Sequence, residues 1–169
     1  MNLKEYIVYA SEKPSESNLA PQIYHCNLFA TNEITARSKT FNLLRKKYKI
    51  KSTFGVILKI EEVAQYNDVK VRNFTVHATY KVKTNISNVK KEIRALTRVA
   101  AVEKLYQELK ARHSATPDCV TIIEVVEIKP EEVVSKNILQ VINNPKYPLF
   151  DKRIPATAPN FQIAAIDRK

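Results

Sequence analysis

Apolar and polar residues alternate over "EYIVYA" near the start of the chain and again over "NFTVHATY", and each run predicts an opening strand. Second strands are expected near residues 23–30 and 88–96. β-branched runs follow later, at "GVILKIEEV" and "VTIIEVVEI". In the first of these, Leu58 and Ile60 alternate with Lys59 and Glu61, the pattern of a strand with one covered face. Between the strands the period lengthens. Ile34, Phe41, Leu44 and Tyr48 recur at helical spacing, as do Val99, Tyr106, Leu109 and His113, so each set predicts one stripe of an amphipathic helix. Asn32 and Thr97 stand just ahead as N-caps, with a side-chain oxygen free to accept from a backbone N–H.

The two halves repeat each other. Sliding the chain by 65 residues lays 28–63 on 93–128 without a gap. Ala30, Ala36, Lys39, Leu44, Ile57 and Glu62 then fall on identical residues, and the helical stripes and N-caps coincide. The unit is strand, strand, helix, strand, used twice, an α+β arrangement with a helix on one face of a small antiparallel or mixed sheet. A unit of about 60 residues is marginal alone, so the two are expected to pack together. The expected organisation is a first repeat over 1–66, a second over 67–130, and a short helix with an extended C-terminal arm over 131–169. The joint is placed near 64–68. The short helix rests on the spacing of Val133, Val134, Ile138 and Val141, and the arm on Pro145, Pro148, Pro155 and Pro159.

Charge changes the picture. The chain of 169 residues carries 28 Lys and Arg against 17 Asp and Glu, a formal net charge of +11. The excess points to a polyanionic partner. No apolar run reaches the length of a spanning helix, and the N-terminus lacks a signal-peptide pattern, so a membrane is not the expected partner. Gly55 is the single glycine, which excludes the glycine-rich loops that cradle nucleotide phosphates. Cys26 and Cys119 stand far apart without metal-ligand spacing and read as small buried hydrophobes of a reducing compartment. His25, His77 and His113 have no Cys, Asp or Glu at ligand spacing, and Glu61 and Glu62, adjacent on a strand, point to opposite faces and cannot share a proton. No catalytic residue, metal, cofactor or small-molecule substrate is therefore expected.

Cations concentrate instead. Residues 37–51 hold seven basic residues and no acid: Arg37, Lys39, Arg45, Lys46, Lys47, Lys49 and Lys51. Residues 69–98 hold eight, among them Lys70, Arg72, Lys81, Lys83, Lys91 and Arg94, with Glu92 the only acid. An ordinary solvated face mixes both signs. RNA suits the pattern better than DNA, because no helix-turn-helix, zinc finger or long basic helix is present, and the aromatics sit mostly at core spacing. The expected recognition is of phosphates and 2′-hydroxyls, by shape.

The stretches "LFATNEITARSK", "VRNFTVHATY", "NVKKEIRALT", "ELKARHSATPDCVTIIEVVEI" and "KYPL" resemble the eukaryotic large-subunit ribosomal protein family L eighteen-a (L twenty in newer naming), whose archaeal half-length relative is L X. The likeness runs from about Lys4 to Arg153. It implies a non-enzymatic structural role in the cytosol, packed against large-subunit ribosomal RNA and neighbouring ribosomal proteins. On the matching motifs it implies RNA contacts at Arg72, Lys91, Arg94, Arg112, His113 and Lys146, with Lys152 and Arg153 beside them on the tail, and core roles for Phe74, Leu96 and Tyr106. The chain departs from the family where glycines are replaced by Thr75, Ala100 and Lys110, at Ser114, and in its less basic ending "NFQIAAIDRK". A free-standing RNA-binding regulator or RNA chaperone built on the same unit is the alternative reading.

Overall fold

Strands β1 (Lys4–Glu12), β2 (Ile23–Ala30) and β3 (Gly55–Glu62) form one antiparallel sheet in the order β2-β1-β3. Strands β4 (Arg72–Val82), β5 (Asn85–Ala95) and β6 (Val120–Ile128) form a second in the order β5-β4-β6. Helix α1 (Glu33–Tyr48) packs on the first sheet and α2 (Arg98–His113) on the second, and α3 (Lys136–Asn143) follows. This computed structural model describes residues 2–16, 18–65 and 69–143. The expected proline-rich arm lies outside the described residues, as does part of the expected joint at 64–68.

The strand–strand–helix–strand unit occurs twice, down to individual bonds. Asn32 caps α1 by accepting from the Thr35 N–H at 2.8 Å, and Thr97 caps α2 by accepting from the Ala100 N–H at 3.1 Å. Lys39 and Lys104, identical in the repeat, each donate to a carbonyl of the preceding strand, Phe29 at 2.8 Å and Arg94 at 2.6 Å. Glu62 pairs with Lys4 at 3.0 Å, and its counterpart Glu127 pairs with Arg72 at 3.4 Å. The opening strands match at an offset of 68, Lys4 onto Arg72, while Ala30 onto Ala95 keeps the offset of 65. The three-residue difference is taken up in the connection between the first two strands.

Both helices end alike, with the C-cap residue in the left-handed region: Lys49 at φ 65° and Ser114 at φ 53°. Their N–H groups return to the carbonyls of Leu44 and Leu109, and Ile50 and Ala115 then tuck into the core. Glycine is the residue this geometry favours. Ser114→Gly is accordingly expected to stabilise the fold by about 0.5–1 kcal/mol, read as a higher urea midpoint at unchanged m-value; an unmoved midpoint would show that the turn carries no strain.

The two helices differ in how much they bury. Helix α2 buries Val99, Ala101, Val102, Leu105, Tyr106 and Leu109, in a cluster that also takes Leu3 and Phe29 from the first unit. Helix α1 buries only Ala36, Thr40 and Leu44. This corrects the expected α1 stripe: Ile34 is 77% and Tyr48 44% exposed. Glu5, buried, accepts from Asn27 of its own unit at 3.0 Å and pairs across the units with Arg98 at 3.3 Å. The units are thus joined by apolar contact and by a charge pair.

Four further expectations are corrected. Leu58 faces outward, because Tyr9 pairs with Lys59 and Ala10 with Ile57, leaving Leu58 as the extra residue of a β-bulge. Ile123 occupies the same bulge in the second unit and is likewise exposed. Leu96, expected in the core, is exposed between the end of β5 and the α2 N-cap, its carbonyl accepting from Arg72. Cys26 is half-buried, but Cys119 is exposed in a 3-10 turn at Pro117–Cys119. Beyond β6, Val133 is buried and Val134 exposed ahead of α3, so the helix starts later than the apolar spacing suggests. Glu92, the lone acid of the second basic segment, accepts from the backbone N–H groups of Val134 and Ser135 and fastens the α3 start to β5.

Candidate nucleic-acid interface

Helix α1 buries one narrow stripe and leaves the rest of its surface to solvent, and beyond Glu33 in its first turn every charge on that surface is positive. Arg37, Arg45, Lys46 and Lys47 are exposed along it, and Lys49 and Lys51 continue the series into the turn before β3. None of the six forms an ion pair among the described residues; Arg45 donates to the Asn42 amide oxygen at 3.4 Å, and the Lys47 ammonium lies 5.3 Å from the Tyr48 ring. Arg45, Lys46 and Lys47 also occupy the last turn, where cations offset the negative end of the helix dipole. Their charge is therefore favourable to the helix and still open to an outside anion.

The second unit places its helix end in the same way. Lys110, Arg112 and His113 fill the last turn of α2, matching Arg45, Lys47 and Tyr48 of α1. Arg112 is largely exposed, 3.8 Å from Glu108, and the His113 ring stands 5.3 Å from that of Tyr80, with Nδ1 3.4 Å from the phenol oxygen. Lys83, at the β4–β5 turn, lines a shallow hollow together with Tyr80 and His113, and Lys81 is exposed beside it. Lys110 did not figure among the expected contacts, although the repeat itself pairs it with Arg45.

Other expected contacts have partners within the chain. Arg72 is held by Glu127 and by the carbonyls of Lys70 and Leu96, with only 12% of its side chain exposed. Lys91 pairs with Glu108. Arg94 is half-buried on β5 and Lys70 is exposed ahead of β4. Lys146, Lys152 and Arg153 lie outside the described residues. Sequence alone could not separate Arg72 from Lys70, because their different roles depend on Glu127, far along the chain.

A cleft of about 340 Å³ opens between the units, lined by Phe29, Leu43, Tyr106, Val120, Lys39 and Asp118 among others. Two of its side chains carry the marks of burial. Desolvation lowers the Lys39 ammonium from its usual value, against the opposing pull of Asp118, and pushes the Tyr106 phenol up to about 12. The Lys39 ammonium is already spent on the Phe29 carbonyl. Among the described residues no group of His, Cys, Asp and Glu could hold a metal ion, and no helix is long and apolar enough to cross a membrane.

The family of ribosomal proteins described as 50S-L18Ae and 60S-L20 matches residues 71–126, the sheet and helix of the second unit. The large ribosomal subunit protein eL20A of Schizosaccharomyces pombe is 35% identical over 155 residues, 90% of this chain and 88% of its own. The eL20 protein of Candida albicans is 33% identical over 165 residues, 96% and 95% of the two chains, and that of Spodoptera frugiperda 33% over 148, 87% and 84%. A doubled α+β scaffold, a basic helical face and these matches define a ribosomal protein, a structural component and not an enzyme. Within that class the chain belongs to the eL20 (L18Ae) family.

Proposed function

We propose that the protein is a structural constituent of the large subunit of the cytosolic ribosome and that it binds ribosomal RNA by phosphate contact. Neighbouring ribosomal proteins are its other partners. The observation that carries the reading is the row of exposed cations on α1 and its following turn, Arg37, Arg45, Lys46, Lys47, Lys49 and Lys51, without an acid paired to any of them among the described residues. A second contact group is Lys81, Lys83, Lys110, Arg112 and His113, at the end of α2 and the adjoining hairpin turn. Arg72 and Lys91 serve the fold first, because their charge is already offset inside the chain. Phosphate contacts of this kind release counterions, so affinity should fall by roughly 0.7–0.9 log units per decade of salt for each phosphate neutralised.

The test is sedimentation of a tagged copy through a sucrose gradient. Co-migration with large subunits at moderate salt is expected, with release as salt is raised. A tagged protein that stays at the top of the gradient, away from subunits, would defeat the reading.

A further inference from the structure

Just after the lysines of the first contact group stands an aromatic side chain more exposed than the Tyr48 among them. Phe54 is 64% exposed, at the end of the turn that carries Lys49 and Lys51 from α1 into β3. Its backbone is fixed on both sides: its N–H donates to the Lys51 carbonyl at 3.0 Å, and its carbonyl accepts from the Lys13 N–H at 2.7 Å. Lys13, Lys49 and Lys51 are themselves exposed. The next residue, Gly55, lies so close under the Phe41 ring that an added Cβ would come within 2.7 Å of it, so the turn is seated on the helix rather than loose. The repeat has no aromatic here; the matching residue is Cys119.

We propose that Phe54 stacks on an unpaired base of the RNA whose phosphates the neighbouring lysines bind. The proposal rests on the RNA-binding reading above and adds base contact to recognition otherwise confined to the backbone. An exposed ring in a fixed turn costs little entropy on stacking, and every base offers a π-face. The surrounding cations decide the class of partner. An apolar protein pocket closing over Phe54 would desolvate Lys49 and Lys51, whereas a nucleotide brings a phosphate for them.

The chain has no tryptophan, so Phe54→Trp supplies a single reporter. Its emission is expected to be quenched by a single-stranded oligouridylate and little changed by an RNA duplex of equal length. Phe54→Ala is expected to bind the oligouridylate about tenfold more weakly, with the same salt slope, the same affinity for duplex and an unchanged melting temperature. Phe54→Leu should be as weak as Phe54→Ala. If Phe54→Ala binds the single strand as wild type does, while reversal of the α1 charges weakens binding, stacking is wrong and the phosphate reading stands. Full rescue by Phe54→Leu would mean that the side chain serves as a generic apolar contact, as for a protein partner, and would overturn the proposal. A wild-type protein with no affinity for either RNA would sink both readings together.

Discussion

Replacing Arg45, Lys46 and Lys47 together by Glu is expected to weaken RNA binding about a hundredfold at low salt and to lower the salt slope by roughly two to three. The three side chains are exposed and, among the described residues, free of ion pairs, so their charge is available to phosphates. Each reversal turns an attraction into a repulsion. The helix itself is not indifferent to the change. These residues fill the last turn of α1, and acids there oppose the helix dipole by about 0.3–1 kcal/mol each. The triple Ala variant separates the two effects, since it removes the positive charge without adding the clash. Filter binding across a salt series, with a thermal melt beside it, measures both. Loss of binding in the Ala variant, with a melting temperature lowered less than in the Glu variant, is the expected outcome; full binding by both variants would show that this face meets no polyanion.

Much of this arrangement was legible in the sequence because duplication wrote it twice. At an offset of 65, the six identities mark positions with the same task in both units: Ala36 and Ala101 against the sheet, Leu44 and Leu109 in the core, Lys39 and Lys104 on a strand carbonyl. What stayed hidden has physical causes. A fixed offset cannot align β1 with β4, because the connection that follows differs by three residues. Hydrophobic periodicity misplaced the α1 stripe because the buried face includes Thr40, whose hydroxyl is satisfied by the Ala36 carbonyl at 2.9 Å and so tolerates full burial. Alternation along a strand assumes an unbroken period of two, and the bulges at Leu58 and Ile123 break it.

The charged site was legible in density and not in availability. Counting cations located α1, but Arg72 and Lys91 read the same as Lys46 until their acidic partners are placed beside them. Phe54 illustrates the converse. Aromatics at core spacing suggested no base contact, and a ring in a turn has no spacing to read; its exposure appears only when the turn between α1 and β3 is built.

Truncating the two matched leucines should then show how far the units depend on each other. Leu44 and Leu109 are each 1% exposed, and Leu→Ala at either is expected to cost about 2–5 kcal/mol. The sites differ in what surrounds the cavity. Leu44 belongs to a small cluster with Ala10 and Ile50 in the first unit, bordered by Phe41 and Ile57. Leu109 belongs to the large cluster that includes Leu3 and Phe29 of the first unit and the buried face of α2. A cavity there loosens the contact that joins the units as well as the second core. Native-state hydrogen exchange separates the two cases. Leu44→Ala should lower protection mainly in β1, β2 and β3, whereas Leu109→Ala should lower it in both sheets. A second sheet that keeps its wild-type protection in Leu109→Ala, or an unchanged thermal stability in either variant, would mean that these side chains do not hold the cores to which their burial assigns them.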